Sequence, residues 1–267
     1  MRPSQKPHPS IVNLDDAIPL SQWAKPAITI LRKSMVADIA HDEAHLVRVL
    51  RNALWFSECE MPRGDIDVIV PAAILHDLVN LPKNSPERHL ASTLSAGRAV
   101  RSLEDFLDFK SEEHKQAIHL AIAAHSFSAN IAATTVEARA LQDADRLDAL
   151  GAIGLGRLFG VTGALGRTLF HPTDPLAENR DLDEMQYGLD HFAIKLAHIH
   201  YSMKTAKGRD EAAKRTGLMI SFIRTMINEA ELVGEASWRH TVELDDRIDN
   251  FITKGGEVNA TRQKELT

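Results

Sequence analysis

The run Ala72-Ala73-Ile74-Leu75-His76-Asp77-Leu78-Val79 sets a histidine and an aspartate side by side in an otherwise apolar segment. Two polar residues of metal-ligand type are costly there unless something charged compensates them. Val68, Ala72, Leu75, His76 and Val79 recur at helical spacing, so the periodicity that buries the aliphatic residues turns His76 inward as well. In isolation such a pair is an ordinary core histidine hydrogen-bonded by its neighbour. Three further stations change its meaning: His45 on an upstream helix pattern, His125 on a downstream one, and Asp143, Asp145 and Asp148 on a later one. Three carboxylates within LQDADRLD repel one another unless a cation or Arg146 neutralises them.

Outward from this segment the apolar spacing is helical nearly everywhere, and no period-two strand stands out, so the fold class is all-α. Ala24, Ala27, Ile28, Leu31 and Met35 predict a first helix. Asp42 caps a second, which carries Leu46, Val49, Leu50 and Ala53 and stops before Met61-Pro62-Arg63-Gly64. Ser85-Pro86 opens a fourth, Ser111 a fifth, and Thr134 with Glu137 forms a capping-box pattern for a sixth. Phe170 to Asp183 reads as a surface loop. Met185, Leu189, Phe192, Leu196, Ile199 and Met203 predict one continuous packing helix, a seam that also admits a homodimer. Ala212, Thr216, Met219, Ile223, Met226 and Ala230 predict a last long helix. The expected organisation is a flexible arm over 1–21, one helical domain over 22–253 with its core at 22–160 and a C-terminal helical part at 161–253, and a polar frayed tail over 254–267. Gly151, Gly154 and Gly156 lack the spacing and the preceding strand of a dinucleotide loop; they read as small residues that let two helices approach.

Composition narrows the classes. With 267 residues, 44% hydrophobic and 25% charged, the chain is an ordinary globular protein with a sizeable core. A net charge of −6 argues against a general nucleic-acid polymer binder. The single cysteine, Cys59, excludes an internal disulfide framework and suits a reducing compartment. No apolar run is long enough for a bilayer, and Met1 to Ser10 lacks the apolar core of a secretory signal, so the expected location is the cytoplasm, away from membranes.

A histidine, then His-Asp, then a distant aspartate in Ala144-Asp145-Arg146-Leu147 resembles the HD superfamily of metal-dependent phosphohydrolases. The resemblance extends through His41-Asp42-Glu43-Ala44-His45-Leu46-Val47-Arg48-Val49, Ala124-His125-Ser126, Leu141 to Gly156, and His191-Phe192-Ala193-Ile194-Lys195-Leu196. Over roughly residues 22 to 232 these motifs are similar to a bacterial branch of nucleotide pyrophosphohydrolase-like proteins. The resemblance implies an HD-type helical bundle with additional C-terminal helices packed on it. It also implies His45, His76, Asp77 and Asp145 as metal ligands. Asp143 is the rival of Asp145, which periodicity favours because it follows buried Leu141 by one turn. His41, four residues before His45, reads as a helix-entry residue ahead of the alternative of a second ligand. His125 is either a pocket contact or a satisfied core histidine.

Two imidazoles and two carboxylates suit a divalent cation, Mn²⁺, Mg²⁺ or Co²⁺, that keeps open positions for water and a phosphate oxygen. Asp77 or Asp148 is the candidate to orient that water or accept its proton. Lys83, Arg88, His125, Arg146 and Lys195 are the candidate substrate contacts, with Arg209 and Arg215 further along. The expected reaction is hydrolysis of (deoxy)nucleoside triphosphate to monophosphate and pyrophosphate. The alternatives are a nucleoside monophosphate phosphatase, a phosphodiesterase, or a non-catalytic nucleotide sensor on the same scaffold.

Overall fold

The computed structural model describes residues 11–34, 43–81, 87–126, 129–230 and 238–265. Met35, His41, Asp42, Lys83, Ser85 and Pro86 lie outside the described residues, and with them the expected caps of the second and fourth helices. The secondary structure is helical, with no strand among the described residues. Two compact units are present: residues up to Asp148 together with Lys204–Gly208, and Ala149–Met203 together with the chain from Arg209 onward.

The first unit opens with a 3₁₀ helix, Leu14–Leu20, followed by α1 (Ala24–Ser34), α2 (Glu43–Glu58), α3 (Ile66–Leu75), α4 (Ala91–Glu104), α5 (Glu112–Ala123) and α6 (Val136–Leu147). Helix α2 packs on α3 and α6, α3 on α5, and α4 on α5. The burial of His45, Leu46, Val49, Leu50, Ala53, Trp55 and Phe56 around α2 makes it the central element. Residues 11–21 are not the flexible arm expected. Asn13 and Asp16 close a reciprocal capping box, and Ile11, Leu14 and Ala17 are buried, so local hydrogen bonds and apolar burial both fix this segment.

Helix α3 starts at the Asp65 cap, whose carboxylate takes the Asp67 N–H at 2.8 Å. Pro71 lies inside it and cannot donate to the carbonyl four residues back. His114 Nε2 takes that carbonyl, Asp67 O, at 3.3 Å, so a buried side chain from α5 repairs the ladder. The helix ends at Leu75, one residue before the His-Asp pair, rather than running on to Val79. Ser111 caps α5 as expected, accepting from His114 N. The expected capping box of α6 is different: Thr135 is the cap, and Glu137 reaches away to the Asp65 N–H at 2.8 Å.

The second unit contains α7 (Gly151–Ala164), α8 (Gly188–Ile194), a 3₁₀ segment Leu196–Ser202, most of α9 (Ala206–Ala230), and α10 (Trp238–Glu265). Gly151 has φ +75°, Gly154 lies against the Ala149 carbonyl, and Gly156 faces open space. Gly151 and Gly154 turn the chain sharply into α7, and Gly151 also admits the Arg215 side chain of α9, whose carbons would lie 3.2–3.3 Å from a Cβ there. The predicted continuous helix over Met185 to Met203 breaks at Lys195, where φ −124° and ψ −58° leave the helical region. Leu189, Phe192, Leu196 and Met203 are still buried, but Met185 is exposed. In α9 the buried stripe is Ala212, Thr216, Met219, Ile223 and Ile227, so the inward face ends on Ile227 in place of Met226 and Ala230. The tail expected to fray from Lys254 is helical: α10 runs to Glu265 and buries Leu244, Ile248 and Phe251. Gly255 lets α10 meet the backbone of α8, since a Cβ there would lie 2.2 Å from Ala193 O. The segment Phe170–Asp183 is a loop, as expected, but Leu176 and Ala177 within it are buried. No helix among the described residues is long and apolar enough to cross a membrane.

Candidate metal centre

His76 caps the C-terminus of α3. The last carbonyls of a helix lack intrahelical donors, and His76 Nδ1 serves one of them, Ala73 O, at 2.9 Å. His125 repeats the device just past α5, its Nδ1 donating to Ile122 O at 2.6 Å. His45, in the first turn of α2, instead sets Nδ1 at 2.8 Å from Asp148 Oδ2. In each ring Nδ1 is thereby occupied and Nε2 turns to a shared centre.

At that centre, His45 Nε2 is 3.6 Å and His76 Nε2 3.8 Å from Asp145 Oδ1. His76 Nε2 is also 3.5 Å from Asp77 Oδ2, and His125 Nε2 is 3.4 Å from Asp77 Oδ1. These separations exceed ordinary hydrogen bonds. Yet the ligand atoms of His45, His76 and Asp145 lie within 4.8 Å of one another, as do those of His76, Asp77 and His125. His76 Nε2 is buried and makes no hydrogen bond. Such an orphaned nitrogen, faced by two carboxylates, is costly without a Lewis acid to take its lone pair. The donor set of imidazole nitrogen and carboxylate oxygen fits a divalent cation.

Burial pushes the His76 pKa down despite the charges of Asp77 and Asp145, which keeps the ring in the neutral form that ligates metals. Burial acts the same way on His125, but there the close Asp77 carboxylate, with Asp145 behind it, raises the pKa overall.

The three acids of α6 have three separate fates. Asp143 is fully buried and accepts from Lys204 N, Thr205 N and Thr205 Oγ1 at 2.7–2.9 Å. Burial raises its pKa against those donors. Asp145, roughly opposite on the helix, is partly exposed and faces the two histidines. Asp148, expected as a candidate to orient water, is fully buried; its oxygens take His45 Nδ1, Arg48 Nε at 2.6 Å and Arg48 Nη2 at 3.0 Å. It orients a histidine and has no face toward solvent from which to accept a proton from water. Burial alone would raise its pKa, but His45 and Arg48 hold it well below the usual carboxylate range.

Arg48 escaped the sequence reading, which set Arg146 against the acids. Its signal was present, since His45-x-x-Arg48 puts both side chains on one face of a helix. Arg146 is half-buried near Asp143 and Asp145, with its pKa lowered by burial. Arg88 Nη1 is engaged by Asn80 Oδ1 and the Leu81 carbonyl, so it braces the turn after the His-Asp pair. Lys83 lies outside the described residues, and Lys195 is exposed at the α8 break in the second unit. Arg209 bonds Met203 O, and Arg215 pairs with Glu211.

The HD domain family profile matches residues 43–150, from the start of α2 to just beyond Asp148. Among curated proteins, the uncharacterized protein YpgQ of Bacillus subtilis (strain 168) is 30% identical over 190 residues, which cover 70% of this chain and 82% of YpgQ. The crystal structure of B. subtilis YpgQ in complex with ADP superposes with a TM-score of 0.55 at 26% identity, covering 77% of this chain and 95% of that one. An HD-superfamily hydrolase from Bacillus thuringiensis gives a TM-score of 0.59 at 30% identity, covering 78% and 96%. The helices that deliver His45, His76, Asp77 and Asp145 are those the family profile spans, and this chain belongs to the HD superfamily of hydrolases.

Proposed function

We propose that the chain is a metal-dependent phosphohydrolase that converts (deoxy)nucleoside triphosphates to monophosphate and pyrophosphate. The observation that carries this reading is a pair of clusters that share His76, one with His45 and Asp145 and one with Asp77 and His125, with His76 Nε2 buried and making no hydrogen bond. The ADP bound to YpgQ supports a nucleotide as the ligand class. In this reading His45, His76, Asp77 and Asp145 hold a divalent cation, Mn²⁺, Mg²⁺ or Co²⁺. Such an ion, when bound, lowers the pKa of a water and polarises a phosphoryl oxygen.

The chain's own residues do the rest. Asp77 is partly exposed, with one oxygen toward His76 and the other toward His125. It is placed to receive the proton of a water attacking the α-phosphorus, and the His125 ring fixes its orientation. The water oxygen bonds to phosphorus, the bond to the α–β bridging oxygen breaks, and pyrophosphate leaves with the electron pair. Arg146, Arg88 and Lys83 are the cations assigned to the polyphosphate, Arg88 also ordering the turn through Leu81.

The test is a panel of nucleoside mono-, di- and triphosphates with each metal, with phosphate and pyrophosphate measured separately. Pyrophosphate as the sole inorganic product from triphosphates is the expected result. Phosphate from monophosphates alone replaces the reading with a nucleotidase. Metal binding without turnover of any nucleotide replaces it with a sensor.

A further inference from the structure

Three histidines converge on the metal centre, and two of them are fixed by their own backbone. His76 and His125 each sit just past a helix C-terminus and give Nδ1–H to the carbonyl three residues earlier. His45 lies in the first turn of α2, away from the freed carbonyls of a helix end. Its Nδ1 partner is a side chain 103 residues later, Asp148 Oδ2. Asp148 is fully buried and closes α6, and Arg48 grips both its oxygens, Nε on Oδ1 and Nη2 on Oδ2. An ionised carboxylate only accepts, so the proton of the His45–Asp148 bond sits on Nδ1. The planar fork of arginine holds the carboxylate in one plane, which a lysine ammonium cannot do.

We propose that Arg48 and Asp148 are positioning residues that lock His45 in its Nδ1–H tautomer, so that Nε2 is the nitrogen offered to the cation. Neither residue touches substrate in this arrangement; both act through His45. The spacing supports it: Arg48 is three residues after His45 and therefore on the same face of α2, leaning on the acid that the ring leans on. The inference rests on the metal-site reading, and partners of this kind contribute about 10–100-fold to metal affinity elsewhere.

Two measurements decide it. Ring-nitrogen NMR on metal-free protein reads the tautomer of His45 directly, and calorimetric titration with Mn²⁺ reads affinity. Wild-type His45 is expected as Nδ1–H. Asp148→Asn turns one acceptor oxygen into an NH2 donor, so the three N–H groups of His45 and Arg48 compete for the one oxygen left, the His45 tautomers mix and Mn²⁺ affinity falls about 10–100-fold. Arg48→Met loosens the carboxylate and lowers affinity about tenfold, and Arg48→Lys falls between wild type and Arg48→Met. A purely structural role predicts lower melting temperatures in these variants with the His45 tautomer unmoved, and that result overturns the proposal. So does a wild-type ring found as Nε2–H, or Mn²⁺ affinity in Arg48→Met within twofold of wild type. Should Asp148→Asn not fold, the wild-type spectrum and the Arg48 variants decide alone. Wild-type protein that binds no Mn²⁺ removes the metal-site reading, while the tautomer still tests the relay by itself.

Discussion

Asp148 in the first unit and Asp190 in the second begin from the same local chemistry. Each carboxylate is fully buried, and each is gripped by two nitrogens of one arginine, Arg48 in one case and Arg180 in the other. The third donor separates them. Asp148 takes the imidazole of His45, whose other nitrogen faces the metal centre, whereas Asp190 takes the backbone N–H of Asp183 and closes the loop before α8. A buried aspartate–arginine fork is thus a fixed anchor in either place. In the proposed function it serves chemistry where the anchored group is an imidazole, and it serves architecture where that group is a peptide.

The contrast breaks first, and most visibly, at the residues in front of Asp148. Asp145→Ala or Asp77→Ala is expected to lower turnover at least about 10³-fold, roughly 4 kcal/mol of transition-state stabilisation, with the far-UV spectrum unchanged. Near-normal turnover in either variant would remove the metal centre from the comparison. Asp190→Ala is the opposite lesion. It strands the Arg180 charge and should cost about 3–5 kcal/mol in urea unfolding, with Mn²⁺ affinity as in wild type. A loss of affinity there would mean that the two anchors are not separable.

Asp143→Asn sharpens the distinction within α6. It weakens an acceptor shared by three donors and should cost about 1–3 kcal/mol of stability, while turnover falls far less than in Asp145→Ala. Equal turnover losses would make Asp143 the better ligand candidate. The smallest effect is on acid stability. His191, and then Arg262, hold the Glu184 carboxyl at about 2 against an ordinary 4.5, with burial opposing them. A depressed folded-state pKa stabilises above the unfolded value, so this contribution is whole above about pH 4.5 and drains away as the pH falls towards 2. Its ceiling is about 3 kcal/mol, reduced by solvent screening. Glu184→Gln should flatten that part of the acid-unfolding curve, and an unchanged curve would discard the assignment.

The first unit was the more legible of the two because its signals are local. Apolar periodicity located α1 to α6, and the Ser111 cap and the His-Asp pair came straight from neighbouring residues. Helical phase favours Asp145 over Asp143 as the ligand, and Asp145 is the acid that lies beside His45 and His76. What stayed hidden depends on partners far along the chain: Arg48 on Asp148, His114 repairing the carbonyl freed by Pro71, and Glu137 reaching to Asp65 instead of its own cap. The second unit was misread for the same reason. Spacings of four and three fit a continuous helix through Lys195, yet the backbone there breaks. The polar sequence after Lys254 suggested fraying, although Gly255 seats it on the α8 backbone.

The seat that Asp143 provides for Lys204 and Thr205 has one more consequence. Two amide protons in a short non-helical connection donate to a carboxylate with no solvent exposure. Their exchange with deuterated solvent should be slow for a residue outside regular structure, and limited by the opening of that one contact. Lys204 and Thr205 are therefore a built-in clock for how often the segment lifts from α6, readable without nucleotide or metal.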